Sequence, residues 1–179
     1  MLTGYAAARE LHRRRLAEGW KPLGRKIGFT NRSIWPRYGV HQPIWGTVYD
    51  RTLVRVRENR AAVTLAGIPH PRIEPEICFK LASAPPRSSD PEPLLAAIEW
   101  VAHAIEIVQC DDPAWQVTLD GSTAQNGLHA RLIKESPPLA AGEIVITGTL
   151  TDAHPVAPGE TWRTEISGLP LGDLELSFR

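Results

Sequence analysis

Cysteine is nearly absent from this sequence. Cys78 and Cys110 are too few and too far apart for a CxxC zinc site or a disulfide framework. Both thiols read most simply as small buried hydrophobes, and a reducing, cytoplasmic setting is the default expectation. No run approaches the ~20 consecutive apolar residues that a membrane-spanning helix needs. The opening MLTGYAAARELHRRR lacks the charged-then-apolar order of a secretory signal. Net charge is missing as well: 20 basic and 20 acidic residues cancel, so no global field favours nucleic acid or an anionic membrane. The local basic runs RELHRRR (9 to 15) and RVRENR (55 to 60) read as solvated faces. Without a G-x-S-x-G elbow, a Ser-His-Asp triad has no support. The six histidines (His12, His41, His70, His103, His129 and His154) show no H-x-x-H or H-E-x-x-H spacing. Neither an internal repeat nor a low-complexity tract is visible.

What is present is a chain of 179 residues, 42% apolar and 22% charged, which fits one globular domain with a real core. Residues 3 to 18 read as a helix, with Thr3 as N-cap and Gly19 closing it. The glycines and prolines of residues 24 to 50 impose short strands and turns, with a helical turn near Ser33 to Tyr38. TLVRVRENRAAVTLAG predicts two strands around a turn at Glu58 and Asn59, and RIEPEICFKL predicts the next strand. SAPPRSSDPEP is a loop. LLAAIEWVAHA carries helix-like spacing through Leu94, Leu95, Ile98, Val101 and Ala102, followed by IEIVQC as a short strand. GEIVITGTLTD, TWRTEISGL and LGDLELSFR return to strand patterns, with a turn at APGE. The result is a strand-dominated α+β chain without the regular βαβ alternation of a doubly wound nucleotide fold.

RIEPEICF (72 to 79) poses the chemical question. In a strand, Glu74 and Glu76 project to one face, and Ile73, Ile77 and Phe79 to the other. Adjacent like charges repel. Glu106, between Ile105 and Ile107, is a third carboxylate in an apolar context where a lone charge is expensive to bury. Two readings stand. Either Glu74 and Glu76 face solvent or pair with Arg72 or Lys80, or the carboxylates hold a hard divalent cation whose octahedron waters complete. Lys26, flanked by Ile27 and Gly28, is either a surface lysine or an acid/base. Thr147-Gly148-Thr149 ends a strand-like run where a glycine lets the backbone approach a ligand.

GRKIGFT, HQPIWGTVYD, RIEPEICFKL, AIEWVAHAIEIV and AQNGLHA occur in this order, and GEIVITGTLTDAHPVAPGE follows. That succession resembles the fumarylacetoacetate hydrolase superfamily, in its 2-keto-4-pentenoate hydratase and 4-oxalocrotonate decarboxylase branch, over most of the chain. The resemblance implies a mixed, strongly curved β-roll with peripheral helices, and Mg²⁺ or Mn²⁺ held by Glu74, Glu76 and Glu106. It also implies Lys26 as the proton shuttle of a K-[IV]-G-[LF]-T element, and Thr149 with Gly148 at the substrate. Beside a bound dication the lysine's pKa is expected to fall, because like charge disfavours the ammonium. The implied reaction adds water to a 2-oxo-alkenoate resembling 2-hydroxypenta-2,4-dienoate, giving a 4-hydroxy-2-oxo acid, as in aromatic-compound catabolism. The implied partners are a small 2-oxo acid and further copies of the chain, since relatives are commonly dimers or larger. Decarboxylation, or C–C hydrolysis, on the same scaffold is the alternative, and a shortened scaffold that only binds is a third.

Three departures from the family pattern accompany the resemblance. His41 stands where the hydratases carry an acidic residue, in V-D-Q-P against Val40-His41-Gln42-Pro43. No counterpart of the His-Glu pair of hydrolytic members is evident, which favours hydration or decarboxylation over hydrolysis. The single domain expected over 1–179 begins late and lacks a family segment near 131–140, where ARLIKESPPLAAGEIV runs almost directly from NGLHA to GEIVITG.

Overall fold

A computed structural model describes residues 2–56, 58–117, 121–122 and 138–179. The AQNGLHA element and residues 131–137 of the shortened stretch lie outside them. Helix α1 (Leu2–Ala17) is followed by strand β1 (Pro22–Gly28), a 3-10 turn (Arg32–Ile34), the short helix α2 (Trp35–Tyr38) and strand β2 (Ile44–Tyr49). Next come β3 (Arg60–Val63), β4 (Arg72–Leu81), helix α3 (Pro91–Leu95) and β5 (Ile98–Val108). The chain closes with β6 (Ile144–Ile146), β7 (His154–Pro155), β8 (Thr161–Thr164) and β9 (Leu174–Phe178). The expectation of an α+β chain dominated by strands agrees with these elements.

The larger sheet has the order β2-β1-β6-β4-β5, with β7 pairing an end of β4; the smaller has the order β3-β9-β8. Pairing is mixed, with β1 parallel to β6 while β4 runs antiparallel to both β6 and β5. The two faces of β4 have different fates. Ile73, 1% exposed, packs with Leu65, Val156, Leu176 and Phe178, joining the smaller sheet to one face of the larger. On the other face Cys78 packs with Val48 and Ile144. Both Cys78 and Cys110 are buried and unbonded, as expected of small hydrophobes.

Helix α1 begins at Leu2, so Thr3 lies inside it rather than capping it, and two larger local expectations fail. The helix-like spacing of LLAAIEWVAHA resolves into a short helix and a long strand. Pro91 begins α3, the Asp90 side chain caps it by accepting from the Glu92 N–H at 3.1 Å, and the helix ends at Leu95. From Ile98 onward the residues pair with β4, with one register shift between Lys80 and Leu81. Leu94, Ile98 and Ala102 satisfy a helical period, but the β-branched residues of IEWVAHAIEIV satisfy an alternating one equally well. Pairing with β4 decides between them. The hairpin expected of TLVRVRENRAAVTLAG is also absent. Its turn forms, with Glu58 and Asn59 at φ of 53° and 58°, but residues 53–56 form no strand. β3 pairs in parallel with β9 instead.

Candidate metal centre

The register of β4 against β5 places Glu74 directly opposite Glu106, and Glu76 opposite Ala104. Alternation therefore sets two carboxylates on one face of β4, and pairing supplies the third from the neighbouring strand. Glu74, Glu76 and Glu106 each offer an oxygen within 4.8 Å of the others'. Glu76 is only 1% exposed. The reading in which these residues pair with flanking bases is overturned: Lys80 turns away to Glu99 at 2.8 Å, and the Arg72 guanidinium lies over the Trp115 ring, 4.2 Å from its centroid.

Lys26 arrives from β1, and its ammonium donates to Glu106 Oε1 in an ion pair. The Thr147–Leu150 segment is tied to the same strand as the carboxylates. Thr147 N–H donates to the Ile77 carbonyl at 3.1 Å and Leu150 N–H to that of Pro75 at 2.9 Å. Between them, Gly148 N–H donates to Glu76 Oε2 at 3.2 Å. Gly148 has φ 89°, and a Cβ there would stand 2.4 Å from Thr30 Oγ1 and 2.7 Å from the Ile27 carbonyl oxygen. Only glycine fits this close approach of the KIGFT and TGT elements. The Thr149 hydroxyl donates to the Thr151 carbonyl at 2.9 Å, and Thr149 lines a cleft together with Lys26, Glu74 and Glu106. All six residues expected at the site are thus brought together. His41, by contrast, is exposed and does not line the cleft.

The electrostatics of the cluster test whether a cation fits. Burial pushes the Glu74 carboxyl up to about 7, helped by the charge of Glu106 and opposed by Lys26 and Arg72. Glu76 is pushed upward by burial, then by Glu106 and Glu74, against the Gly148 hydrogen bond. For Lys26, burial disfavours the ammonium, but Glu106, Glu76 and Glu74 outweigh it and hold its pKa above the ordinary lysine value. That direction is opposite to the one expected beside a bound dication, because here the lysine is itself the counter-charge. One ammonium cannot neutralise three carboxylates. Oxygen-only donors, converging and short of positive charge, suit a hard divalent cation. Cys78, whose thiol burial pushes up to about 11, offers no competing soft ligand.

No protein-family model matches the chain. A 4-oxalocrotonate decarboxylase from a Pseudomonas species is 27% identical over 212 aligned residues, covering 91% of this chain and 81% of the relative. The 2-hydroxyhexa-2,4-dienoate hydratase of Comamonas testosteroni is 35% identical over 125 residues, 68% of this chain and 46% of the relative. A 2-hydroxypent-2,4-dienoate hydratase of Pseudomonas putida is 32% identical over 115 residues. The chain belongs to this hydratase and decarboxylase branch. It spans about half the length of the branch's hydratases that it matches, 46% of one and 50% of another. A solved structure from the branch agrees in fold. The 4-oxalocrotonate decarboxylase from Pseudomonas putida G7, complexed with magnesium and adipate, superposes with a TM-score of 0.83 at 22% identity, over 98% of this chain and 85% of that one. The same decarboxylase is also solved with calcium and acetate.

The fold adds Arg72, stacked over Trp115, to the lining of the cleft beside these residues. The signal was available: it stands two residues before Glu74, so the alternation that pairs Glu74 with Glu76 also brings Arg72 to their face. Trp115 could not have been found this way, because only the fold sets it beside β4.

Proposed function

We propose that this chain is a divalent-metal-dependent hydro-lyase that adds water to a 2-oxo-alkenoate resembling 2-hydroxypenta-2,4-dienoate and yields a 4-hydroxy-2-oxo acid. The observation that carries this reading is the convergence of Glu74, Glu76 and Glu106 on a cleft lined by Lys26, Glu74 and Glu106, with Lys26 paired to Glu106. Glu74, Glu76 and Glu106 would hold Mg²⁺ or Mn²⁺. When bound, such an ion supplies Lewis-acid stabilisation of negative charge developing at a 2-oxo oxygen. The solved relatives containing magnesium or calcium support a divalent ion. Lys26 moves the proton during ketonisation from its place on Glu106. A cation held among the carboxylates would weaken their hold on the Lys26 ammonium and so lower its pKa from the raised value of the metal-free chain. Thr149 and the backbone around Gly148 position the substrate carboxylate.

The strongly curved β-roll belongs to the same proposal. Strands β1 and β5 stand three positions apart in the sheet, a lateral separation of about 14 Å if the sheet were flat. An ion pair between Lys26 and Glu106 calls for a sheet that curls toward the cleft. A homo-oligomeric assembly in the cytoplasm completes the reading; no helix among the described residues is long and apolar enough to cross a membrane.

A second reading, loss of CO₂ from a 2-oxo-enedioate, is favoured by the decarboxylase match, which covers a larger share of both chains than the hydratase matches do. One experiment separates the readings: turnover of 2-hydroxypenta-2,4-dienoate and of a 2-oxo-3-enedioate, with EDTA, with added Mg²⁺, and in Glu76→Ala. The expected result is Mg²⁺-dependent hydration, abolished by EDTA and by the substitution. Conversion that persists in both would sink the metal reading, and release of CO₂ would select the decarboxylase.

A further inference from the structure

Strand β1 ends at Gly28, and the next residue, Phe29, takes φ of 51°. That is the left-handed region, which costs a bulky side chain free energy. Such a conformation persists only where its surroundings impose it, and it concentrates beside functional sites. Phe29 stands between Lys26 and Thr30, and the Thr30 side chain closes against Gly148. Gly148 in turn donates its N–H to Glu76 Oε2 at 3.2 Å. The strained residue therefore sits at the joint between the lysine and the loop that supports a carboxylate of the centre.

The turn that follows imposes the conformation. Trp35 Nε1–H donates to the Phe29 carbonyl at 2.8 Å. Tyr38 meets the Phe29 ring edge-on, with centroids 5.7 Å apart, and the ring also packs beside buried Tyr5 and Ile44. The turn is itself braced. Asn31 Oδ1 accepts from the Ser33 N–H at 2.9 Å and from the Ser33 hydroxyl at 2.7 Å, and the Val40 N–H donates to the Trp35 carbonyl at 3.0 Å. Of these contacts, the indole hydrogen bond is the one that grips the backbone of Phe29. Trp35 does not line the cleft, so it reaches the chemistry through Phe29.

We propose that Trp35 is a positioning residue: its indole N–H holds Phe29 in the left-handed conformation, which keeps Thr30 against Gly148 and the Gly148 N–H on Glu76. The effect on catalysis rests on the reading above, in which Lys26 and the three carboxylates carry the reaction; the effect on the loop does not. Loss of the indole N–H deprives the Phe29 carbonyl of its donor and lets Phe29 relax toward negative φ. Thr30 then backs away from Gly148, and the hydrogen bond to Glu76 weakens.

The test removes the N–H and keeps an aromatic ring, in Trp35→Phe, and reads two quantities. The first needs neither metal nor substrate: hydrogen exchange of the Gly148 amide in the metal-free chain. It is expected to quicken about three- to tenfold, the worth of one hydrogen bond. Exchange at Phe178 of β9, whose N–H donates to the Glu160 carbonyl at 2.9 Å, should stay as in the wild type and so report an intact fold. The second is Mg²⁺-dependent turnover of 2-hydroxypenta-2,4-dienoate, where kcat should fall about three- to tenfold with KM nearly unchanged. Phe29→Gly supplies the control, since glycine takes positive φ without a clamp. In that background Trp35→Phe should alter Gly148 exchange by less than about twofold. Unchanged Gly148 exchange in Trp35→Phe would overturn the proposal, as would an equal response in both backgrounds. Exchange that quickens at Phe178 as well would reduce Trp35 to general stability, and a full kcat despite faster Gly148 exchange would remove its positioning role. Absence of Mg²⁺-dependent turnover in the wild type is a different failure: it removes the functional reading, while the exchange pattern still decides the clamp.

Discussion

The two faces of β4 solve opposite problems with alternate residues of one strand. One face presents Ile73, sealed by Leu65, Val156, Leu176 and Phe178 of the adjoining layer. The other presents Arg72 and Glu74 to a cleft that Lys26, Glu106 and Thr149 share, with Glu76 buried beside them. The first face gains from being dry, since apolar burial needs no partner beyond good packing. The second loses from being dry, because carboxylates taken from water without full compensation retain protons. Stability is therefore concentrated on one face of the strand and chemical potential on the other, with their backbone in common.

The sharpest way to separate the faces is to remove one group from each. Lys26→Met is expected to lower kcat by about 10²- to 10⁴-fold while Mg²⁺ affinity is kept or increased, because a competing counter-charge has gone. Steady-state kinetics beside a Mg²⁺ titration checks both, and an unchanged kcat would remove Lys26 from the chemistry. Ile73→Ala should do the reverse. Opening a cavity at a residue only 1% exposed costs about 2–5 kcal/mol of stability, read by urea denaturation, with activity retained wherever the variant remains folded.

The pH dependence of the metal-free chain probes the cleft face alone. Glu74 titrates at about 7 in the fold against an ordinary 4.5, so between those values the folded state keeps a proton that the unfolded chain has released. Stability then falls as pH rises from about 4.5 through 7, by on the order of 3 kcal/mol from this group. If the carboxylates hold Mg²⁺ as proposed, saturating Mg²⁺ should flatten or reverse the slope. A metal-free protein whose stability rises over that window would contradict the burial cost assigned to the cluster. The smallest effect is expected at Lys80→Ala. Its ion pair with the half-exposed Glu99 is worth about 0–1 kcal/mol in thermal or chemical unfolding, and activity should not change.

Much of the centre was legible before any pairing was known. The alternation of RIEPEICF is sufficient to place Glu74 and Glu76 on one face, since side-chain direction in a strand depends only on local backbone geometry. The turn at Glu58 and Asn59 belongs to the same class of local signal, whereas the close approach of Gly148 to Thr30 and Ile27 depends on the fold. Long-range pairing was not legible. Residues 98–104 fit a helical and an extended period equally, and only their pairing against β4 made them a strand. TLVRVR looked like one arm of a hairpin, yet β3 finds its partner in β9, more than a hundred residues onward.

The sequence by itself determined which groups could do chemistry, because charge, hydrogen-bonding capacity and alternation reside in residues and their near neighbours. Tertiary structure alone decided that those groups meet. The β4–β5 register sets Glu106 against Glu74, the sheet order lets Lys26 reach Glu106 from β1, and a loop after β6 delivers the Gly148 N–H to Glu76. Each of these contacts joins residues more than 30 positions apart, and their cost in chain entropy is offset only by the packing of the whole domain.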